Sequence, residues 1–304
     1  MNLTVRVRWQ VATDERFARV VRSGTVDALP ERARAVHVEP DGLEPGCEYW
    51  YRFLAGDEVS PVGRTRTAPA PDAVVESMRF AFGSCQHFEQ AWFSAYRHLL
   101  DEDVELMVFL GDYVYESSWG SDLRRRHSAG EPRTLAEYRN RHAQYKTDPD
   151  PQAMHAAVPW LVTWDDHEVD NDYAGEQSEN LDPDFARRRA AAYQAYFEHM
   201  PLRESARPRG QSMRLYTRAD HGRLARFHML DGRPFRSPQA CPRPGRGART
   251  SSTRAAASAS RQTARCSARP GALACRRAAR RPRALERHRP ADARGPGRQP
   301  RARA

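Results

Sequence analysis

Short runs of alternating apolar and polar residues dominate the first 70 positions of the chain, and such runs are typical of β-strands. Turn-forming groups separate the runs, among them Pro40-Asp41-Gly42. Residues 1–70 are therefore predicted to form an all-β, fibronectin-like sandwich module. The module is predicted to be incomplete, because it has few strands for a sandwich. The predicted strands are Leu3–Val11, Val20–Val26, Arg34–Val38 and Tyr49–Ala55.

From Met78 onwards the pattern changes to strands that alternate with helices. Continuous apolar runs predict buried strands, and longer amphipathic runs predict helices. This order predicts that residues 78–241 form an α/β domain with a largely parallel sheet and helices packed on its faces. Strands are predicted at Arg79–Phe82, Leu106–Leu110, Trp160–Trp164 and Arg223–Leu230, and helices at Ala91–Asp101, Thr134–Lys146 and Phe185–Met200.

The composition changes abruptly after Cys241. Residues 242–304 contain 18 arginines, two acids and no Phe, Trp, Tyr, Val, Ile or Met. Such a segment buries too little apolar surface to offset the entropy of ordering it, so it is predicted to be disordered. We interpret it as the product of a shifted reading frame. It carries a charge of +16, which leaves −6 for residues 1–241 of the total of +10, so the folded part lacks the basic character of nucleic-acid-binding proteins.

The five cysteines show no regular spacing, so neither a disulfide framework nor a structural zinc site is predicted. No apolar run reaches the ~20 residues that span a bilayer. The sequence begins with a strand pattern, so a signal peptide is not expected.

Acidic residues follow two of the predicted buried strands. Leu106–Leu110 runs into Gly111-Asp112, and Trp160–Trp164 runs into Asp165-Asp166-His167-Glu168. Ligands of α/β folds bind at the carboxyl ends of strands, and several charges beside an apolar strand are costly unless a cation neutralises them. A metal site is therefore predicted, with a solvated loop as the alternative for either group alone.

Two further side chains are candidates for the same site. Cys85 follows the strand Arg79–Phe82, and its thiol is a metal ligand, a nucleophile or a buried inert group. Tyr115 lies three residues after Asp112, and its phenol is either a ligand for ferric iron or a packed aromatic group.

The acidic groups belong to longer motifs that carry a resemblance. These motifs are Phe82-Gly83-Ser84-Cys85-Gln86, Gly111-Asp112-Tyr113-Val114-Tyr115-Glu116 and Thr163-Trp164-Asp165-Asp166-His167-Glu168-Val169-Asp170-Asn171-Asp172-Tyr173. Together they resemble the motifs of PhoD-like alkaline phosphatases, of the calcineurin-like metallophosphatase superfamily. The β module resembles that family's N-terminal domain, and the resemblance covers about residues 1–241. It implies an enzyme that hydrolyses phosphate monoesters or diesters with Fe³⁺ and Ca²⁺.

The resemblance also implies metal ligands. By position, Cys85 and Tyr115 would bind Fe³⁺, and Asp112 would bridge Fe³⁺ and Ca²⁺. Asp166 would bind Ca²⁺, with Asn171 as a second oxygen ligand or a phosphate contact.

Catalytic roles follow from the same resemblance. His167 would act beside the phosphate as a proton donor or a charge stabiliser, together with Asp112. Arg233 would contact the phosphate. The nucleophile would be a hydroxide generated by the metals.

Nothing after Cys241 resembles the later Asp and His ligands of this family, so the catalytic domain is expected to be incomplete and the chain truncated at both ends. The family is exported, which implies an extracellular or cell-surface location, although the twin-arginine signal usual in the family is not seen. Two alternatives stay open: a catalytically dead remnant that lacks the C-terminal metal ligands, and a basic nucleic-acid-associated protein that acts through its tail.

Overall fold

The computed structural model describes residues 3–238, so the predictions for residues 242–304 lie outside the described residues. Within that range no helix has the length and apolar character needed to cross a membrane. The strands fall into a five-stranded sheet, a three-stranded sheet and a two-stranded hairpin.

The N-terminal module is an antiparallel sheet. Its strands are β1 (Val5–Ala12), β2 (Val20–Ala28), β3 (Glu48–Ala55), β4 (Glu58–Val59) and β5 (Gly63–Arg66). They are ordered β2-β1-β3-β4, and β5 also pairs with β3. The all-β character agrees with the sequence pattern. Since the described residues form a single sheet here, the second layer of a sandwich stays a prediction.

The predicted strand at residues 34–38 is not formed, so that prediction is wrong. Ala33 has a positive φ of 50°, which turns the chain away from the sheet. The ring of His37 instead stacks on Phe197 with 4.3 Å between ring centres, and its Nδ1–H donates to the carbonyl of Leu202. This segment therefore links the β module to the α/β region.

The α/β region is built on a parallel sheet, as predicted. Strands β6 (Phe80–Gly83), β7 (Leu106–Phe109) and β8 (Trp160–Val162) are ordered β6-β7-β8. The helices are α1 (Ala95–Leu100), α2 (Leu135–Tyr145), α3 (Pro149–Ala157) and α4 (Phe185–His199).

Two helices differ from the sequence prediction. Helix α1 is shorter than the predicted Ala91–Asp101. Helix α3 was not predicted; it begins with Pro149, and the Asp148 side chain caps it by accepting from the Asp150 backbone N–H. Helix α2 begins with a capping box between Thr134 and Glu137, in agreement with its predicted start.

The main core lies between the helices and one face of the parallel sheet. Met107 and Phe109 of β7 point into it, and an added Cβ on Gly83 would lie 3.1 Å from the end of Met107. Large aromatic side chains from the helices fill the space, including Tyr138, Tyr145, Tyr193, Tyr196 and Phe197. At the end of α2, Lys146 lies with Nζ 5.3 Å from the centre of the buried Tyr113 ring.

The predicted strand Arg223–Leu230 forms, but not in the parallel sheet. It is β10 (Ala225–Met229), which pairs antiparallel with β9 (Thr217–His221). The Trp164 indole N–H donates to Asp231 at 2.6 Å, which fastens the end of this hairpin beside β8. The chain then makes a single turn of 3₁₀-helix, Arg233–Phe235.

Candidate metal centre

The loops that follow β6 and β7 are joined by backbone hydrogen bonds. The backbone N–H of Cys85 donates to the Gly111 carbonyl at 3.1 Å, and that of Gln86 donates to the Asp112 carbonyl at 3.0 Å. Cys85 and Asp112 both have a φ of 58°, an uncommon conformation for residues with a side chain. This strained arrangement brings both side chains to one point at the carboxyl edge of the sheet.

The loops that follow β7 and β8 are clamped by a buried carboxylate. Glu168 accepts from the backbone N–H of Tyr113 at 2.5 Å and from that of Asp165 at 2.9 Å. Gly111 has a φ of 112°, and an added Cβ would lie 2.3 Å from the Asp165 nitrogen, so only glycine permits this approach. The spacing of the acidic residues is thus set by backbone contacts.

Five of the predicted site residues meet here. Potential ligand atoms of Asp112, Asp166 and His167 all lie within 4.8 Å of one another, and the three residues are buried. Asp112 Oδ2 also lies 3.3 Å from the Cys85 sulfur and 3.3 Å from the Tyr115 hydroxyl. These five residues are called the acidic cluster below. Cys85 is exposed, so the acidic cluster is open to solvent on the side of Cys85.

The donor set fits a bound cation. Burial raises the pKa of Asp112, of the Cys85 thiol and of the Tyr115 phenol, and for Tyr115 the charges of Asp112 and Cys85 raise it further. Each of these shifts favours the protonated form of the group, and a bound cation would favour the deprotonated form instead. Thiolate is a ligand for iron, and carboxylate oxygen suits hard cations such as calcium.

Arg233 is held by the aspartates around the cluster. Its guanidinium lies 2.5 Å from Asp165, 2.7 Å from Asp166 and 3.4 Å from Asp172. Burial raises the pKa of Asp166 to about 6, although the charge of Arg233 opposes the shift. Arg233 therefore offsets negative charge of the loop after β8, which contains these three aspartates. Its predicted contact with phosphate stays a prediction.

His167 has a partner that sequence reasoning missed. Its Nδ1 lies 2.8 Å from Glu116 Oε2, and its ring stacks on Tyr115 with 4.1 Å between centres. Burial alone would lower the pKa of His167, but the hydrogen bond and charge of Glu116 outweigh burial and raise it to about 9. Without bound metal, this pKa makes the ring an imidazolium ion near neutral pH, and its Nδ1 is engaged by Glu116.

Asn171 is oriented by a different carboxylate. Its amide donates to Glu179 at 2.9 Å, so its role as a metal or phosphate ligand stays a prediction. Glu116 and Glu168 are the residues that sequence reasoning left without a role. Both lie inside the quoted motifs, and their charge within those motifs was the available signal.

Two family models and a curated relative match this chain. The family model for PhoD-like phosphatase matches residues 80–268, and that for the PhoD-like phosphatase N-terminal domain matches residues 2–69. The chain is 51% identical to alkaline phosphatase D of Bacillus subtilis (strain 168) over 244 residues, which cover 78% of this chain.

A solved structure described as the structure of PhoD superposes with a TM-score of 0.77 at 49% identity, covering 80% of this chain and 48% of that one. The chain spans only 42% of the length of the Bacillus relative. Two family models and a close relative agree on one assignment. The chain belongs to the PhoD-like phosphatase family.

Proposed function

We propose that this chain provides the metal site of a phosphate-ester hydrolase, in a β module (1–70) followed by the front part of a catalytic domain (78–241). The observation that carries the proposal is the meeting of Cys85, Tyr115 and Asp112 at one solvent-accessible point at the end of a parallel sheet. Metal ions bound by these three residues would form a positive centre, which suits a ligand as negatively charged as a phosphate ester.

The proposed metals are Fe³⁺ and Ca²⁺. A thiolate from Cys85 and a phenolate from Tyr115 suit iron, whereas Asp166 offers only oxygen and suits calcium. Asp112 offers two oxygens, and only Oδ2 faces Cys85 and Tyr115, which supports a bridging role. Asn171 is the proposed further oxygen ligand of calcium.

Bound metals would supply positive charge that polarises a phosphoryl oxygen and lowers the pKa of a water molecule. The protein contributes the remaining steps. The His167 imidazolium, fixed through Nδ1 by Glu116, offers Nε2 to a phosphate oxygen and can transfer a proton to the leaving alkoxide. Arg233 keeps the loop of Asp165 and Asp166 in place during this reaction.

The proposal is tested on the full chain loaded with iron and calcium. An aryl phosphate monoester and the matching diester are the substrates, and metal content is measured in parallel. We expect hydrolysis that Asp112→Asn abolishes along with metal binding, whereas Asp220→Asn, an exposed control that pairs with Arg226, changes neither. Folded protein that binds no metal overturns the proposal.

Iron and calcium are distinguished by Tyr115→Phe. A phenolate bound to Fe³⁺ absorbs visible light, so we expect this band to vanish in the variant while calcium content is kept. A loaded wild-type protein without such a band contradicts the assignment of Tyr115.

The alternatives make different predictions. A catalytically dead remnant would bind metal without hydrolysing either substrate. The phosphatase relatives favour hydrolysis over nucleic-acid association. Export of the active form, as in the family resemblance, stays a prediction.

A further inference from the structure

Trp119 is an exposed aromatic residue beside the acidic cluster. Its side chain is 45% exposed, whereas Trp160 and Trp164 are buried in the core. The centre of its ring lies 5.3 Å from that of His167 and 6.4 Å from that of Tyr115, with an interplanar angle of 81° to each. A large indole outside the core therefore lies against two residues of the acidic cluster.

The ring distances show where Trp119 lies relative to these two residues. His167 and Tyr115 are stacked, with 4.1 Å between their ring centres. A ring placed on top of this stack would be farther from one member than from the other by nearly the full stacking distance. The distances of 5.3 Å and 6.4 Å are too similar for that. Trp119 therefore lies beside the stack, next to the edges of both rings.

Hydrogen bonds that lead back to Glu116 hold the indole. Nε1–H of Trp119 donates to the Ser117 hydroxyl at 2.8 Å, and this hydroxyl donates to Glu116 Oε1 at 3.1 Å. The other oxygen of Glu116 lies 2.8 Å from His167 Nδ1, so one carboxylate orients both the imidazole and, through Ser117, the indole. Because the N–H of the indole is satisfied, the exposed part of Trp119 offers apolar aromatic surface.

The loop that carries Trp119 is anchored at both of its ends by one side chain. The buried guanidinium of Arg141 donates to the backbone carbonyls of residues 115 and 116, which precede Trp119. It also donates to the carbonyls of residues 129 and 130, where the loop returns. A side chain that is fixed before a ligand arrives loses little conformational entropy when the ligand packs on it. Trp119 is therefore preorganised to bind.

The leaving group of a substrate would lie within reach of this indole. A side chain that transfers a proton to the leaving oxygen must come within about 2.6–3.2 Å of that oxygen. The leaving oxygen would therefore lie against the His167 ring, whose centre is 5.3 Å from that of Trp119. Aromatic rings in contact have centres about 4.5–7 Å apart, so a ring carried by this oxygen can pack on the indole. A small alkyl group in its place would cover little of the indole.

We propose that Trp119 forms an aromatic wall of the leaving-group subsite, so that the site prefers phosphate esters whose alcohol carries a planar aromatic ring. The inference rests on the proposed function, because that function places the leaving group beside His167. A planar ring gains more from the indole than a saturated ring of the same size, since stacking adds to the burial of apolar surface. Trp119 thus selects for the organic part of the ester, whereas the metals act on its phosphate.

The test measures the binding of phosphonates to the metal-loaded full chain. Phosphonates are not hydrolysed, so the higher reactivity of aryl esters does not enter the comparison. Benzylphosphonate has the shape of phenyl phosphate with a methylene group in place of the ester oxygen, and ethylphosphonate matches methyl phosphate in the same way. Cyclohexylmethylphosphonate keeps the size of the ring and removes its flatness.

Dissociation constants are measured by isothermal titration calorimetry. We expect benzylphosphonate to bind about tenfold more tightly than ethylphosphonate, as stacking on an aromatic side chain allows. Cyclohexylmethylphosphonate should fall between the two, because it buries apolar surface without stacking.

The matched variants are Trp119→Ala, Trp119→Phe and Trp92→Ala. Trp119→Ala should remove most of the preference for benzylphosphonate and leave the affinity for ethylphosphonate unchanged, and Trp119→Phe, which keeps a ring, should retain part of the preference. Trp92 is also exposed, but its ring lies 4.7 Å from the guanidinium of Arg125, so Trp92→Ala should keep the full preference. Circular dichroism and metal content verify that each variant is folded and loaded.

Four results overturn the proposal. They are equal binding of benzylphosphonate and ethylphosphonate by the parent, a preference that Trp119→Ala retains, an equal loss of affinity for both ligands in Trp119→Ala, and cyclohexylmethylphosphonate binding as tightly as benzylphosphonate. The third result would show that Trp119 supports the site as a whole, and the fourth would show apolar contact without stacking.

A parallel assay of ester hydrolysis separates this inference from the proposed function. Hydrolysis combined with any of those four results leaves the proposed function standing and removes the leaving-group subsite. A preference that Trp119→Ala abolishes, in a protein that hydrolyses no ester, keeps the subsite and rejects the proposed function. Loaded protein that binds no phosphonate rejects both.

Discussion

Nδ1 of His167 lies 2.8 Å from Oε2 of Glu116, and both side chains are buried. This contact determines which ring nitrogen is left for a substrate, because a histidine fixed through one nitrogen presents the other. It also links the loop after β7 to the loop after β8. The contact therefore predicts that Glu116 orients the His167 ring, and this role can be measured.

Glu116→Gln keeps the shape of the side chain and removes its charge. We expect kcat for a phosphate ester to fall by about 10- to 100-fold, with little change in KM, because the His167 ring loses its fixed orientation and charge. Nitrogen NMR of the ring gives a readout that is independent of turnover. At pH 7.5 His167 of the metal-free protein should be doubly protonated in the parent, where its pKa is raised to about 9, and less protonated in the variant, which lacks the charge of Glu116.

The control for this prediction is Glu105→Gln, which removes a carboxylate that pairs with Arg66 away from the cluster. We expect the same ring signals and the same kcat as in the parent. Identical ring signals in Glu116→Gln and the parent would refute the role of Glu116.

Arg233→Met should destabilise the protein through the aspartates that it leaves behind. Removing one partner of a buried ion pair costs about 3 kcal/mol of unfolding free energy, and Asp166 is buried. We expect this loss in urea unfolding of metal-free protein, with partial recovery when calcium is added. Arg226→Met, whose pair with Asp220 lies at the surface, should change stability by less than about 1 kcal/mol. Equal losses in the two variants would contradict the prediction.

Gly111→Ala should separate the two acidic loops. The added methyl group would lie 2.3 Å from the Asp165 nitrogen, in a backbone conformation with a φ of 112° that alanine rarely adopts. We expect a loss of at least about 2 kcal/mol in unfolding free energy, together with weaker metal binding. Gly130→Ala is the matched control, because an added Cβ there meets nothing within 4 Å. A Gly111→Ala protein as stable as the control would show that the loops can move apart freely.

Stability should fall in mild acid because of a buried pair of histidines. His142 of α2 stacks on His199 of α4 with 5.2 Å between ring centres, and neither Nε2 atom has a hydrogen-bond partner. Burial lowers the pKa of His142 well below the ordinary value of 6.5 and that of His199 to about 4. The folded state thus favours the neutral rings. Their contribution is fully present above pH 6.5 and is lost as the pH falls towards 4.

The measurement is the pH dependence of the unfolding free energy between pH 7 and 4.5. Each unit of pKa difference is worth about 1.4 kcal/mol, so we expect a shallower decline in His142→Met than in the parent. His228→Gln, at an exposed position of β10, should follow the parent curve. Parallel curves for His142→Met and the parent would exclude the pair as the cause.

The positions that sequence predicted well are those where one local pattern decides the structure. Leu106–Leu110 is uniformly apolar and is followed by Gly-Asp, so both the buried strand and its acidic end could be predicted. The same reasoning located Asp166 and His167, and the parallel edges of the sheet brought them to Asp112.

The missed features depend on contacts between distant residues. Residues 34–38 have the composition of a strand, but the positive φ at Ala33 and the stacking of His37 on Phe197 override it. The ion pairs of Arg233 join positions more than 60 residues apart in the chain. No local pattern specifies either arrangement.

Lys146 is the single lysine of the sequence, and its amine lies over the ring of Tyr113, the residue next to Asp112. Burial lowers the pKa of this amine to about 8, so a large fraction of it is nucleophilic under mildly alkaline conditions. Packing against the ring limits how readily a reagent reaches it. The rate at which Lys146 is acylated therefore reports how often the packing of Lys146 against Tyr113, beside Asp112, opens transiently. Mass spectrometry can measure this rate on the unmodified sequence.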